Sequence, residues 1–343
     1  MRAIVARRYG PPEVFELRSL PEPELKPGQV LVRVKCAGIN FADILSRMGM
    51  YGGVPKPPFV PGLEVSGVIE ELGADLPAQA AGLARGMRVA ALTKFNGYAE
   101  LVALPSLQVF PVPDGVSFEE AAAIPVNYLT AYHSMFQMGN LQPGDRILIH
   151  AAAGGVGIAA IQLAKARDLV IFGTAGSAKQ EYLRSIGVQH PIDYSKENFV
   201  EVVRRVAPDG IELALDAVGG DYFARSQRCL GPGGRLVVYG FSAAVGADGK
   251  RNLFRVAKAL MQTRRYHPLR LIDRNLAVIG VHLGRMKGRE GLMKKEMAEI
   301  LRLYEAGKIK PVIAQSFPLE QAAEAHRFIH ARKNIGKVLL SVS

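Results

Sequence analysis

Residues 147–157 read ILIHAAAGGVG. The apolar run Ile147-Leu148-Ile149 ends in a glycine-rich turn. Beyond it, Ile158, Ile161, Leu163 and Ala164 fall on one face of a helix. Strand, glycine turn, helix is the layout that lays a dinucleotide pyrophosphate on a helix N-terminus. The template G-x-G-x-x-G is filled by Ala152, Ala153, Gly154, Gly155, Val156 and Gly157, so alanine replaces its first glycine. Gly154 lets the backbone approach phosphate oxygens, and Gly157 lets the helix pack close to the strand. On the loop alone, a glycine turn without a ligand stays an open alternative.

The next strand, Leu169-Val170-Ile171-Phe172, is followed by Gly173-Thr174-Ala175-Gly176-Ser177. Folds that bind NAD usually place an acid here to hold the ribose 2′-hydroxyl. This strand end has none. It offers hydroxyls at Thr174 and Ser177 and a cation at Lys179, the chemistry a 2′-phosphate needs, so NADPH is favoured over NADH. The plainer reading of Lys179 is a solvated lysine at a helix start.

Working outward, residues 118–283 alternate strand and helix, with strands expected at 146–150, 169–173, 211–216, 235–240 and 276–281. That alternation predicts a doubly wound parallel sheet. Ser117-Phe118-Glu119-Glu120 reads as a capping box and marks the boundary. Residues 1–117 hold short runs punctuated by Pro and Gly, read as a small antiparallel barrel. Residues 284–343 supply helices near 290–306 and 319–332 and a closing strand, Lys337–Val342, that returns to complete the first domain. The fold class is therefore α/β: a barrel-like catalytic domain (1–117 and 284–343) and a dinucleotide-binding domain (118–283). A basic insertion at 248–275 carries Leu253, Val256, Ala257, Leu260 and Met261 on one helix face. The expectation is that this face packs on the protein's own core. The alternatives are a lid over the substrate and a contact with acidic lipid.

The chain has 343 residues, a formal charge of +12 and only two cysteines, Cys36 and Cys229. Two cysteines build neither a disulfide framework nor a cysteine-based metal site. The positive charge suits an anionic cofactor, and most of the excess reads as solvated surface, which leaves nucleic acid and anionic lipid as the less favoured partners. No apolar stretch reaches the ~20 residues of a membrane span, and the N-terminus breaks at Gly-Pro-Pro before a signal core forms. Cytoplasmic residence is the default expectation.

The segments GINFADILSRMGMY, PGLEVSG, FEEAAAIPVNYLTAY, GNLQPGD, HAAAGGVG, FGTAGSAKQEYL, HPIDY, IGVHLG, GKIKP and NIGKVLL run in order along the chain. Together they resemble the medium-chain dehydrogenase/reductase superfamily, in its zinc-free quinone oxidoreductase branch and nearest the vesicle amine transport protein group. The resemblance implies a GroES-like catalytic domain with a Rossmann domain inserted. It also implies a homodimer formed by antiparallel pairing of strands near Ala277–Val281. Zinc-dependent relatives place a cysteine ligand where Asn40 stands and a histidine where Leu63 stands, leaving Glu64 of that set.

Without zinc, an alkoxide lacks its stabiliser, whereas quinones and activated enones accept hydride readily. Tyr304 and Lys308 spell Tyr-x-x-x-Lys, but beyond the nucleotide-binding strands, and the match is read as chance. The expectation is NADPH-dependent, zinc-independent hydride transfer to a small planar electrophile, a quinone or α,β-unsaturated carbonyl. An enoyl-thioester reductase, or a cofactor-binding protein that associates with membrane or RNA, are the alternatives. From the resemblance, Asn40 and Tyr51 line the pocket, with Asn40 also near the nicotinamide ribose. Asn127 and Thr130 lie near the nicotinamide, and Tyr194 covers the adenosine end. Gly219, Tyr239 and Gly240 end strands above the cofactor, His282 and Leu283 flank the nicotinamide, and Asn334 and Lys337 reach the phosphates. The plainer readings are a turn residue for Asn40, a loop aromatic for Tyr51 and a locally satisfied strand-end histidine for His282.

Overall fold

The computed structural model describes residues 1–246, 253–263 and 266–342. Part of the basic insertion, residues 248–252 and 264–265, lies outside these.

The alternating half folds as a six-stranded, all-parallel sheet. Its order is His190–Asp193, Val170–Ala175, Arg146–Ile149, Ile211–Asp216, Leu230–Val238, Ala277–Gly280. In order of appearance along the chain this is 3-2-1-4-5-6, the doubly wound order. The central strands are apolar on both faces because helices cover both. Ile147, Leu148, Ile149, Leu213, Ala214 and Leu215 are fully buried. The order reverses between Arg146–Ile149 and Ile211–Asp216, and the glycine loop leaves the sheet there. Open α/β sheets bind ligands at such a switch point.

The other half is a seven-stranded sheet on the path Ile313–Pro318, Lys337–Ser341, Gln29–Ile39, Glu64–Leu72, Arg88–Leu92, Val109–Pro111, with Leu101–Pro105 also paired to Gln29–Ile39. Its antiparallel pairing matches expectation, but no closed barrel forms. The sheet stays open: Lys337–Ser341 takes the place beside Gln29–Ile39 as expected, and Ile313–Pro318 forms a parallel edge beyond it. The return to the first sheet comes later than residue 284. Helix Glu290–Glu305 still sends Met297, Ile300 and Leu303 into the same apolar cluster as Ile147 and Ile161.

The capping box forms as read: Ser117 Oγ accepts from Glu120 N at 3.1 Å, and Glu120 Oε2 accepts from Ser117 N at 3.4 Å. The two halves meet in a small apolar cluster, where Ile44 and Met48 of one touch Val245 of the other. The basic helix forms as Leu253–Gln262. Its expected packing on the core is overturned. Ala259 is its buried residue, while Phe254, Leu260 and Met261 are 78%, 59% and 77% exposed.

Candidate active site

Helix Gly155–Lys165 begins at Gly154 with no side-chain cap, which leaves its first-turn N–H groups for another acceptor. Gly155 leaves no room for a side chain, because a Cβ there would fall 2.5 Å from Asn127 Nδ2. Gly157 is equally confined: a Cβ on it would fall 2.5 Å from the Ala151 carbonyl oxygen, so the helix's first turn sits close on the glycine turn that precedes it. Asn127 and Thr130 are buried on helix Pro125–Tyr132 beside this turn. The closing segment crosses the same loop: Gly336 N donates to the Ala153 carbonyl at 3.0 Å, and Gly336 bridges Gly154. Gly336 has φ +88°, and a Cβ on it would strike the Val312 carbonyl, so only glycine suits this crossing.

Sequence reasoning missed the wiring beneath the loop. His150 is fully buried; its Nδ1 meets Thr174 Oγ1 and its Nε2 meets Ser226 Oγ, both at 2.9 Å. Ser226 then donates to Asp216 at 3.0 Å, whose other oxygen accepts from Val218 N and Gly219 N. Burial pushes the His150 pKa down, against the pull of Asp216. This chain ties the ends of three strands together. It also removes Thr174 from the 2′-phosphate donors, since its hydroxyl is spent on His150 in the interior. Gly173 is corrected likewise: the strand runs on to Ala175, so Gly173 is buried inside it, against Val188 and Ala152.

At the adenosine end, Lys179 is half-buried, and its ammonium donates to the Asn334 carbonyl at 2.5 Å. Burial and the nearby Arg332 lower its pKa. Among the described residues neither cation has a carboxylate partner. Arg332, missed from the sequence, adds its charge to the surroundings of Lys179 from 153 positions downstream. The Tyr194 hydroxyl lies over Gly176, where a Cβ would sit 3.4 Å away. Ser177 is exposed and donates to Asp193, pairing also with Ser195 at 3.1 Å. The neighbouring strand therefore brings an acid that the strand of Gly173 lacks. The Ser177 and Ser195 hydroxyls hold that carboxyl below its usual range.

The other end of the cleft is built on Asn40, Asp43, Glu64 and Lys337. Lys337 Nζ donates to Asn40 Oδ1 at 2.7 Å and to Glu64 Oε1; Asn40 Nδ2 donates to Glu64 Oε1 at 2.8 Å, and Val126 N to Glu64 Oε2 at 2.7 Å. Both ends of the Asn40 amide are thus committed. Lys337 is 2% exposed, and its ammonium is engaged by Asn40 and Glu64 at the floor of a cavity that it shares with Asn127, Gly155 and Gly336. Asp43 accepts from Asn40 N at 2.8 Å and Gly62 N at 3.2 Å, and burial pushes its pKa up to about 7.

The Tyr51 and His282 rings face each other across the halves, with centroids 5.2 Å apart and planes 34° apart. Burial and Asp43 push the Tyr51 hydroxyl up to about 12. His282 Nε2 is buried without a partner, which leaves it open to a ligand group. Leu283 packs on the nucleotide-domain core. At the strand ends above the loop, Gly219 (φ +80°) has no space for a Cβ beside Phe241, and Gly240 packs on Ala217. Burial raises the Tyr239 pKa. Tyr304 donates to Glu120 at 2.7 Å, a structural bond. Among the described residues no helix is long and apolar enough to cross a membrane.

The alcohol dehydrogenase GroES-like domain family matches residues 26–114, and the zinc-binding dehydrogenase family matches 186–340. A synaptic vesicle membrane protein VAT-1 homolog from Danio rerio is 43% identical over 342 residues, covering 99% of this chain and 70% of the relative. The crystal structure of a human VAT-1 homolog-like protein superposes with TM-score 0.86 at 34% identity, covering 100% and 98% of the two chains. The quinone oxidoreductase of Thermus thermophilus, solved with and without NADPH, gives TM-score 0.78 at 35% identity over 100% of both chains. On this sequence, fold and site, the chain belongs to the medium-chain dehydrogenase/reductase superfamily of oxidoreductases, close to the VAT-1 homologues and the quinone oxidoreductase-like proteins.

Proposed function

We propose that this protein is an NADPH-dependent, zinc-independent oxidoreductase that reduces a quinone or an α,β-unsaturated carbonyl compound. The observation that carries the cofactor assignment is Lys179: a half-buried ammonium held on the Asn334 carbonyl, within the field of Arg332, and among the described residues without a carboxylate partner. A cation in that state, with a second positive charge near it, suits a phosphate dianion. The residues fit the coenzyme elsewhere too. The uncapped helix start at Gly154 suits a pyrophosphate, and His282 Nε2 is a buried polar atom without a partner. Asp193 is the competing feature, since a free acid here would take a ribose hydroxyl; its two oxygens are already held by serines.

Zinc independence is supported by the donor set. Leu63 has no donor to offer, and both ends of the Asn40 amide are engaged. A bound nicotinamide supplies the hydride. The chain's own residues bind, orient and exclude water. Tyr51, with its hydroxyl pushed up to about 12, keeps its proton at neutral pH and serves as a hydrogen-bond donor to a substrate oxygen. Asp43, held behind it, keeps the helix start at Asn40 in register. A dimer is part of the proposal, because strand Ala277–Gly280 pairs on one side only, with Leu230–Val238.

The test is reduced-coenzyme consumption against quinones, enones and enoyl-thioesters, with NADPH and NADH compared and zinc measured by elemental analysis. Equal or better use of NADH, or stoichiometric zinc needed for turnover, sinks the corresponding part. Preference for enoyl-thioesters selects the alternative substrate class. The exposed face of helix Leu253–Gln262 favours a second reading, association with an anionic membrane surface. Pelleting with anionic liposomes tests it, and no pelleting at moderate salt discards it.

A further inference from the structure

The cleft holds a cation that the proposed reaction does not require. Arg285 ends the short turn Leu283–Arg285 that follows the last parallel strand. Its guanidinium crosses to the loop of the other half and settles where Gly52 has no side chain. A Cβ on Gly52 would lie 2.7 Å from Arg285 Nη2. Tyr51 precedes that notch, and its ring faces His282. Arg285 therefore stands beside both rings. Its charge is felt at each, opposing the rise of the Tyr51 pKa and adding to the fall of the His282 pKa.

Other arginines of the chain show what this one lacks. Arg2, Arg33, Arg146, Arg302 and Arg327 each hold a glutamate at 2.6–2.9 Å. Among the described residues, Arg285 has no such partner, and it is exposed. A forked donor at a cleft mouth, with no acid of its own, is fitted to take an acidic group from a ligand.

We propose that Arg285 is a specificity-determining residue that selects planar electrophiles carrying a carboxylate or sulfonate. The inference rests on the reductase reading above. The ring of such a substrate lies against Tyr51, and its acidic substituent meets the guanidinium held over Gly52. The interaction is made alike before and after hydride transfer, so it acts on KM rather than kcat.

The test compares 1,2-naphthoquinone with its 4-sulfonate in the wild type, Arg285→Gln and Gly52→Ala. The wild type is expected to prefer the sulfonate. Arg285→Gln lowers the sulfonate-to-neutral ratio of kcat/KM about tenfold, through KM. Gly52→Ala keeps the charge but displaces the guanidinium, and it shifts the ratio in the same direction by less. Raised ionic strength erodes the wild-type preference. An unchanged ratio in Arg285→Gln overturns the inference. If the wild type turns over neither these quinones nor any enone or enoyl-thioester with either coenzyme, the reductase reading fails. Calorimetric binding of the sulfonate to wild type and Arg285→Gln then decides the inference, and equal or absent binding overturns it.

Discussion

Lys179 shows how one residue's meaning depends on its neighbours. From the sequence it is a lysine after a strand; in the fold it is half-buried, bonded to the Asn334 carbonyl and within the field of Arg332. Lys179→Ala is expected to raise the KM for NADPH ten- to a hundredfold and to leave NADH nearly unaffected, as steady-state kinetics will read. Lys337→Met leaves the buried carboxylate of Glu64 without its cation and should cost about 3–5 kcal/mol, seen in denaturant unfolding. Adding Glu64→Gln should recover part of that loss. A third residue-scale expectation concerns pH. Arg47 is fully buried between His326 and His330, at 3.3 and 2.7 Å. Burial, Arg47 and His330 hold the His326 pKa well below its ordinary 6.5. A histidine with a lowered folded pKa contributes stability that is present above its unfolded value and lost as pH falls below it. Melting temperature should drop on acidification below about pH 6.5, and His326→Gln should flatten that slope. Asp43 acts oppositely: its folded pKa of about 7 lies above the ordinary 3.8, so its contribution is lost as pH rises through 7.

At the scale of elements, periodicity and alternation identified the strands, the helices and the parallel sheet, but not the surface each helix meets. The parallel strands were legible because both their faces are apolar, and the glycine turn because its residue types admit few other conformations. The basic helix was legible as a helix and misread in its packing. Amphipathic spacing reports that a stripe exists, not which surface it meets. Phe254 and Met261 therefore stand in solvent. Replacing both by serine should move stability by less than about 0.5 kcal/mol, measured by thermal unfolding. A drop of several degrees would mean that the stripe packs on the protein after all. The role of Thr174 was illegible because the strand ends at Ala175, two residues later than expected, and turns the threonine inward beside the buried Gly173. His150, Arg332 and Arg285 were illegible for another reason. Each acts through partners between 24 and well over 200 positions away, which no local pattern encodes.

At the scale of the whole molecule, the open question is the free edge of the parallel sheet. Val281 N donates to the Val238 carbonyl, so by alternation Val278 and Gly280 turn their backbone groups outward. Val278→Pro removes an outward donor and spares the bonds within the sheet. Light scattering should give twice the 37.1 kDa chain mass for the wild type and a single chain for this variant. A wild-type monomer would end the dimer proposal.

The strand Lys337–Ser341 lies between Ile313–Pro318 and Gln29–Ile39. On the ribosome, the sheet of Gln29–Ile39 therefore waits for residues 337–341 to be made before it can finish. Until residue 337 emerges, Glu64 has no counter-ion, and the sheet it belongs to has an open flank. A stop before codon 337 would thus do its damage in strands laid down far earlier, stripping Gln29–Ile39 of a neighbour and Glu64 of its cation.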